Sequence, residues 1–209
     1  MHTDLHGSEG ADGFPSSRRC TDSRHPRPTF SSAEGGKMSS TKHIWIVCLA
    51  NVCRSPMAGA LLQQKIERAG LQAAVHVHTA GILATPGQPL DPQVAHLLAR
   101  EHLPIPPDSQ TAARLRQADI AAADMILVLE EAQRRSIFNR SPENLHKVFL
   151  LSEMIGEHFD IADPYGQAPA AYENTFRQLQ DIIERGWPNI CRRLSLSCAS
   201  APHDAPGKG

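Results

Sequence analysis

His43-Ile44-Trp45-Ile46-Val47 runs directly into Cys48-Leu49-Ala50-Asn51-Val52-Cys53-Arg54-Ser55-Pro56, and this stretch decides the fold. The first five residues form a short apolar run with β-branched side chains, the pattern of a buried strand. Ser55-Pro56 suits the N-cap and first turn of a helix. Beyond it, Ala58, Leu61, Leu62, Ile66 and Ala69 recur on one helical face, and Gly70 ends the pattern. The loop between strand and helix starts with a thiol and finishes with a guanidinium. Successive backbone N–H groups entering a helix make an anion nest, and the helix dipole favours negative charge there. The Gly-Lys-Ser/Thr of nucleotide-binding phosphate loops is absent.

Outward from this unit, strand-like and helix-like segments alternate. Residues 75–79 (VHVHT) read as a second strand. Asp91-Pro92 opens a helix with Val94, Leu97 and Leu98 inward. Residues 125–129 (MILVL) predict a buried strand, followed by a polar helix through about Asn139. Residues 148–151 (VFLL) predict a fourth strand. Tyr172, Phe176, Leu179, Ile182, Ile183 and Ile190 line a long last helix, with Pro188 a place for a bend. Such alternation predicts an α/β fold: a parallel sheet covered on both faces, with ligands bound beyond the carboxyl ends of its strands. With no repeat or interior linker, residues 42–194 read as one domain. Residues 1–41, rich in Gly, Ser, Pro, His and charge, predict a disordered extension, with Met38 as an alternative start of translation. Residues 195–209 predict a flexible tail.

Composition narrows the class. A chain of 209 residues has room for one ordinary domain plus tails. Its net charge of -1 supplies no basic field to recruit nucleic acid or an anionic membrane. No apolar run approaches the roughly 18 residues of a membrane span, and the N-terminus has no stretch resembling a signal peptide. The expected location is the cytoplasm. The five cysteines, Cys20, Cys48, Cys53, Cys191 and Cys198, form no dense framework of a secreted scaffold.

The loop's end groups have a chemical logic. A free thiol is only a few per cent thiolate at neutral pH. A helix N-terminus and a neighbouring arginine favour the anion. Such a nucleophile can lie beneath a phosphate held by backbone amides, while the planar fork of Arg54 takes two phosphate oxygens. Phosphoryl transfer is largely positioning and charge stabilisation, which this loop can supply. The spacing of Cys48 and Arg54 alone is common by chance, and a buried cysteine with an exposed arginine is its ordinary reading. The strand before and the helix start after reverse that reading.

From Val47 to Pro56 the sequence resembles the signature of low-molecular-weight protein-tyrosine phosphatases. Thr79-Ala80-Gly81 resembles the family's segment after strand two, and Asp163-Pro164-Tyr165 its late Asp-Pro-aromatic motif. The likeness covers nearly the whole region expected to be ordered. It implies a three-layer sandwich, with a four-stranded parallel sheet flanked by helices. The phosphate-binding loop after strand one would comprise Leu49, Ala50, Asn51, Val52, Cys53 and Ser55. By the same resemblance Cys48 attacks phosphorus and Arg54 clamps the phosphate. Ser55 hydrogen-bonds the thiolate, and Asn51 braces the loop. Asp163 protonates the leaving phenolate and then activates water, and Tyr165 walls the entrance. No metal or cofactor is implied. Cys53 reads either as a packing residue or, by resemblance, as a resolving thiol for oxidised Cys48. Ala50 and the short Asp163-Pro164-Tyr165-Gly166 segment look most like bacterial members, which often reverse autophosphorylation of a tyrosine kinase of exopolysaccharide export. The implied partner is such a kinase's tyrosine-rich tail. Two departures stand out. Ala50 replaces a common Gly, which predicts a strained loop, although some bacterial members resemble this chain there. Gly59 stands where many relatives have Glu. Val52 stands where relatives acting on phosphoarginine carry Thr, which tilts the substrate towards phosphotyrosine.

Two other functions fit the same loop. Thiol-dependent arsenate reductases need further cysteines after the middle of the sheet. None lies between Cys53 and Cys191, though Cys191 and Cys198 are closely spaced. A non-catalytic phosphotyrosine-binding module predicts loss of Cys48, Arg54 or Asp163, and all three are present. His76 and His78 share one strand face, but no third metal ligand is suitably spaced, so a structural or solvent role is expected. Glu130-Glu131 suits a helix start. Arg134 and Arg135 predict a solvated face, and Tyr172 a core or rim position.

Overall fold

The computed structural model describes residues 41–197. The expected N-terminal extension with Met38 and Cys20, and the tail from Cys198 onward, lie outside the described residues. The described residues form four strands and five α-helices: β1 (Lys42–Cys48), α1 (Arg54–Arg68), β2 (Val75–Gly81), α2 (Pro92–Arg100), α3 (Gln117–Ala122), β3 (Met125–Val128), α4 (Glu131–Arg140), β4 (Val148–Leu150) and α5 (Pro169–Leu194). All strand pairs are parallel, in the order β2-β1-β3-β4. This is the flanked four-stranded parallel sheet implied by the sequence.

Alternation along β1 separates two cores. Ile44, Ile46 and Cys48 join one with Met57, Leu62, Val94, Leu98, Phe176 and Leu179, from α1, α2 and α5. Val47 joins the other with Ile120 of α3 and Ile137 of α4. β3 (MILV) is buried at every position, as a central parallel strand requires. Full burial of each such Ile or Leu is worth about 1.5–3 kcal/mol.

The strand order reverses between β1 and β3. Their following loops diverge there and leave a crevice at the carboxyl edge. Three details differ from the sequence reading. β2 runs to Gly81, so Thr79-Ala80-Gly81 ends that strand rather than following it. α1 begins at Arg54 with Cys53 in the N-cap position, which places Ser55 inside the first turn and leaves its hydroxyl free for other work. α3 is an additional short helix. The long last helix expected from the apolar stripe is present, and it continues through Pro188 to Leu194.

Candidate active site

Cys48 is the last residue of β1 and is 3% exposed. Its Sγ accepts the Asn51 N–H at 3.2 Å and lies 3.0 Å from Ser55 Oγ. Asn51 is the loop residue with positive φ, at 58°. Asparagine enters this region more readily than most side chains. The expected strain at Ala50 is therefore misplaced: the left-handed turn falls one residue later.

Asn51 ties the loop to its surroundings. Its Nδ2 donates to Ser55 Oγ (2.9 Å) and Thr79 Oγ1 (3.0 Å), while its Oδ1 accepts the Ala113 N–H (2.8 Å). Thr79 Oγ1 lies 2.8 Å from Ser109 Oγ. Asn51, Ser55, Thr79 and Ser109 are all buried and all satisfied, which rigidifies such a network. Because Ser55 Oγ accepts from Asn51, its own proton can point at Cys48, and an ionised Cys48 would accept from both Ser55 and Asn51.

Two glycines permit this packing. A Cβ on Gly81 would lie 2.6 Å from the Leu49 carbonyl oxygen, so the loop backbone rests directly on the end of β2. A Cβ on Gly59 would lie 2.6 Å from Thr79 Cγ2. Glycine at 59 thus lets α1 press against the residue that braces Asn51, which gives this departure from the family pattern a physical account.

Arg54 is 1% exposed. Its Nη1 donates to the Ile161 carbonyl at 2.8 Å and to the Glu130 carboxylate, and its Nη2 donates to Asp163 Oδ2 at 2.7 Å. Burial opposes the charge, but the Glu130 hydrogen bond and the charges of Asp163 and Cys48 outweigh it and hold the guanidinium protonated more firmly than usual. Its Nε is buried with no partner among the described residues. A buried donor in that state suits an anionic oxygen. In sequence, Glu130 has the local explanation of a helix-start acid. In the fold it reaches across the crevice from the end of β3, while Gln133 accepts the Glu130 N–H and forms the helix cap.

Cys48, Arg54, the residues between them, Asp163 and Tyr165 line one cavity of about 260 Å³, together with Gln88, which the sequence reading did not single out. That volume lies below the roughly 300–1,000 Å³ of drug-sized ligand sites and suits a single small ester. Ser55 sits behind the loop. Asp163 Oδ1 accepts the Tyr165 N–H at 3.3 Å. Tyr165 is 60% exposed and forms the rim. Burial pushes the Cys53 thiol up, and Asp91, Asp163 and Cys48 add to this against Arg54. Cys53 is therefore a neutral, buried thiol.

The other singled-out residues lie elsewhere. His78 Nε2 is 3.0 Å from His43 Nδ1, and its ring stacks on Trp45. Among the described residues no group of three or more His, Cys, Asp or Glu is placed to hold a metal. Arg134, expected on a solvated face, is 20% exposed and bonded to Glu131 and Glu153. Cys191 is buried in α5 and is not among the residues that line the cavity.

Comparison with known proteins defines the class. Residues 43–197 match the family model of the low molecular weight phosphotyrosine protein phosphatases, and the chain belongs to this family of hydrolases. It is 38% identical over 149 residues to the probable low molecular weight protein-tyrosine-phosphatase EpsP of Ralstonia nicotianae, covering 71% of this chain and 96% of that one. A protein-arginine-phosphatase of Bacillus subtilis is 31% identical over 143 residues, covering 68% and 92%. The crystal structure of a low molecular weight protein tyrosine phosphatase from T. tengcongensis matches with a TM-score of 0.66 at 29% identity, covering 71% and 99%.

Proposed function

We propose that the catalytic domain, residues 42–194, hydrolyses phosphotyrosine through a cysteinyl-phosphate intermediate. The observation that carries this reading is the convergence of Cys48, Arg54 and Asp163 on one small cavity. The Cys48 thiolate attacks phosphorus as the bond to the aryl oxygen breaks. The Asp163 carboxyl gives its proton to that oxygen, so the leaving group departs as a phenol. Asp163, now a carboxylate, takes a proton from water as the water oxygen attacks phosphorus. The S–P bond breaks, releasing phosphate and restoring the thiolate. Arg54 holds the non-bridging oxygens throughout. Asp163 Oδ2 accepts from one guanidinium nitrogen of Arg54. An arriving phosphate competes for that nitrogen and frees the carboxyl to face the leaving oxygen.

The substrate is a phosphotyrosine protein, and the partner a bacterial tyrosine kinase of exopolysaccharide export. The similarity to EpsP supports this assignment. A nucleophile that must stay a free thiol fits the reducing cytoplasm. No helix among the described residues is long and apolar enough to cross a membrane. The Bacillus subtilis relative raises phosphoarginine as the rival substrate. Val52 lines the cavity with no hydroxyl to orient a guanidinium, which favours the aryl ester.

Hydrolysis of phosphotyrosine at mildly acidic pH in the presence of a chelator tests the proposal. Cys48→Ser abolishes turnover, Asp163→Asn slows it by roughly 10²–10⁴-fold, and phosphoarginine is the poorer substrate. Turnover that survives Cys48→Ser removes the mechanism, and a preference for phosphoarginine removes the substrate.

A further inference from the structure

Tyr172 lies in the first turn of α5, on the stripe continued by Phe176, Leu179 and Ile183, and is buried. Phenylalanine would satisfy the packing. The hydroxyl adds a polar group that is costly to bury unless paired. It is paired twice: it donates to Asp91 Oδ2 at 3.0 Å and accepts the Gly166 N–H at 3.2 Å. The directions follow from the amide, which only donates and so leaves the hydroxyl's own proton for Asp91. Burial, with Asp91 beside it, pushes the phenol up to about 12, so the donor stays protonated at working pH.

Each partner leads to one half of the site. The Asp91 N–H donates to the Val52 carbonyl in the nucleophile loop at 3.1 Å, and Asp91 Oδ1 caps α2 through the Gln93 N–H at 2.8 Å. Gly166 closes the turn that Asp163 begins. Within that turn the hydrogen bonds are local: Tyr165 N–H to Asp163 Oδ1, Gln167 N–H to the Pro164 carbonyl, and the Gln167 side chain to the Asp163 carbonyl. Among the described residues, the turn is tied to the rest of the fold by Arg54–Asp163 and by Gly166–Tyr172. The first tie must part when Asp163 turns to the substrate.

We infer that Tyr172 is a positioning residue, whose hydroxyl locks the Asp163 turn to the nucleophile loop through Asp91 and holds the acid at the leaving oxygen once Arg54 has released it. This rests on the reading of Asp163 as general acid. Sequence reasoning placed Tyr172 only in the core or rim, since the apolar stripe accounts for its ring and nothing local accounts for its hydroxyl.

The test compares kcat/KM for phenyl phosphate and p-nitrophenyl phosphate in wild type, Asp163→Asn and Tyr172→Phe. Phenolate leaves poorly without a proton, whereas nitrophenolate needs it far less. The ratio of the two values is independent of the fraction of folded enzyme. Asp163→Asn loses more on phenyl phosphate. Tyr172→Phe follows in kind, losing about 10-fold on phenyl phosphate and no more than about 2-fold on p-nitrophenyl phosphate. If Asp163→Asn discriminates but Tyr172→Phe falls equally on both substrates, or on neither, the inference is overturned and the reading of Asp163 stands. If Asp163→Asn does not discriminate, both fall together.

Discussion

Two openings among the described residues differ in size and in chemistry. The cavity at the end of β1 holds about 260 Å³, while a groove beside β4 holds about 870 Å³. Phe138, Arg134, Arg135 and Arg193 line the groove. Two of its arginines are engaged with near neighbours: Arg134 bonds to Glu131 and Glu153, and Arg193 lies 4.0 Å over the Phe149 ring. In the small cavity the bonds run the other way. Asn51, Ser55, Thr79 and Ser109 bond behind the loop, and the Cys48 thiol, the Arg54 guanidinium and the Asp163 carboxyl meet in front. Chemistry follows from convergence held by a buried network rather than from volume.

Substitutions can break or sharpen this contrast. Arg54→Lys keeps the charge but loses the fork that spans Glu130, Ile161 and Asp163. Activity on an aryl phosphate should fall roughly 10²–10³-fold, and wild-type activity in this variant would show that charge alone suffices. Asn51→Ala strips the brace behind the loop, leaves the Ala113 N–H without its partner and leaves Thr79 with Ser109 alone. A loss of about 2–3 kcal/mol is expected in urea unfolding, with turnover falling alongside. Unchanged stability would mean that the network is idle.

Asp119 tests a polar cluster away from the cavity. Burial pushes its carboxyl up, but the side-chain and backbone hydrogen bonds from Arg116 win and hold it below the usual carboxylate range. A depressed native value contributes stability that is present above the unfolded value, near pH 3.9, and is lost as pH falls through the native one. Asp119→Asn should therefore lower stability at neutral pH and flatten its fall on acidification, with kcat unchanged. A lowered kcat would couple the two regions. The smallest effect is expected in the groove, where Phe138→Ala should leave kcat/KM within about twofold and stability within about 0.5 kcal/mol. A larger change in activity would erase the contrast between the openings.

The sequence revealed most where neighbouring residues determine one another. β1, the loop and the start of α1 are contiguous, so their period and end groups could be read together. Asp163 was reached through its motif, since nothing in the spacing from Cys48 places the two side by side. Glu130 was missed as the partner of Arg54 because they are far apart in the chain, and an acid at a helix start has a sufficient local explanation. Arg134 was read as solvated for a similar reason: its partner Glu153 comes from the turn after β4. α3 spans only Gln117–Ala122, too short for an apolar period to emerge. The strain assigned to Ala50 came from comparing side chains, whereas φ is set by how the loop crosses Gly81, and that crossing puts the left-handed residue at Asn51.

The central claim is that Cys48 becomes covalently phosphorylated, and rapid acid quenching during turnover of p-nitrophenyl phosphate, followed by intact and peptide mass spectrometry, tests it most directly. The account predicts one added phosphoryl group, located on Cys48 and absent from Cys48→Ser. Turnover with no adduct, or an adduct on another residue, would contradict it.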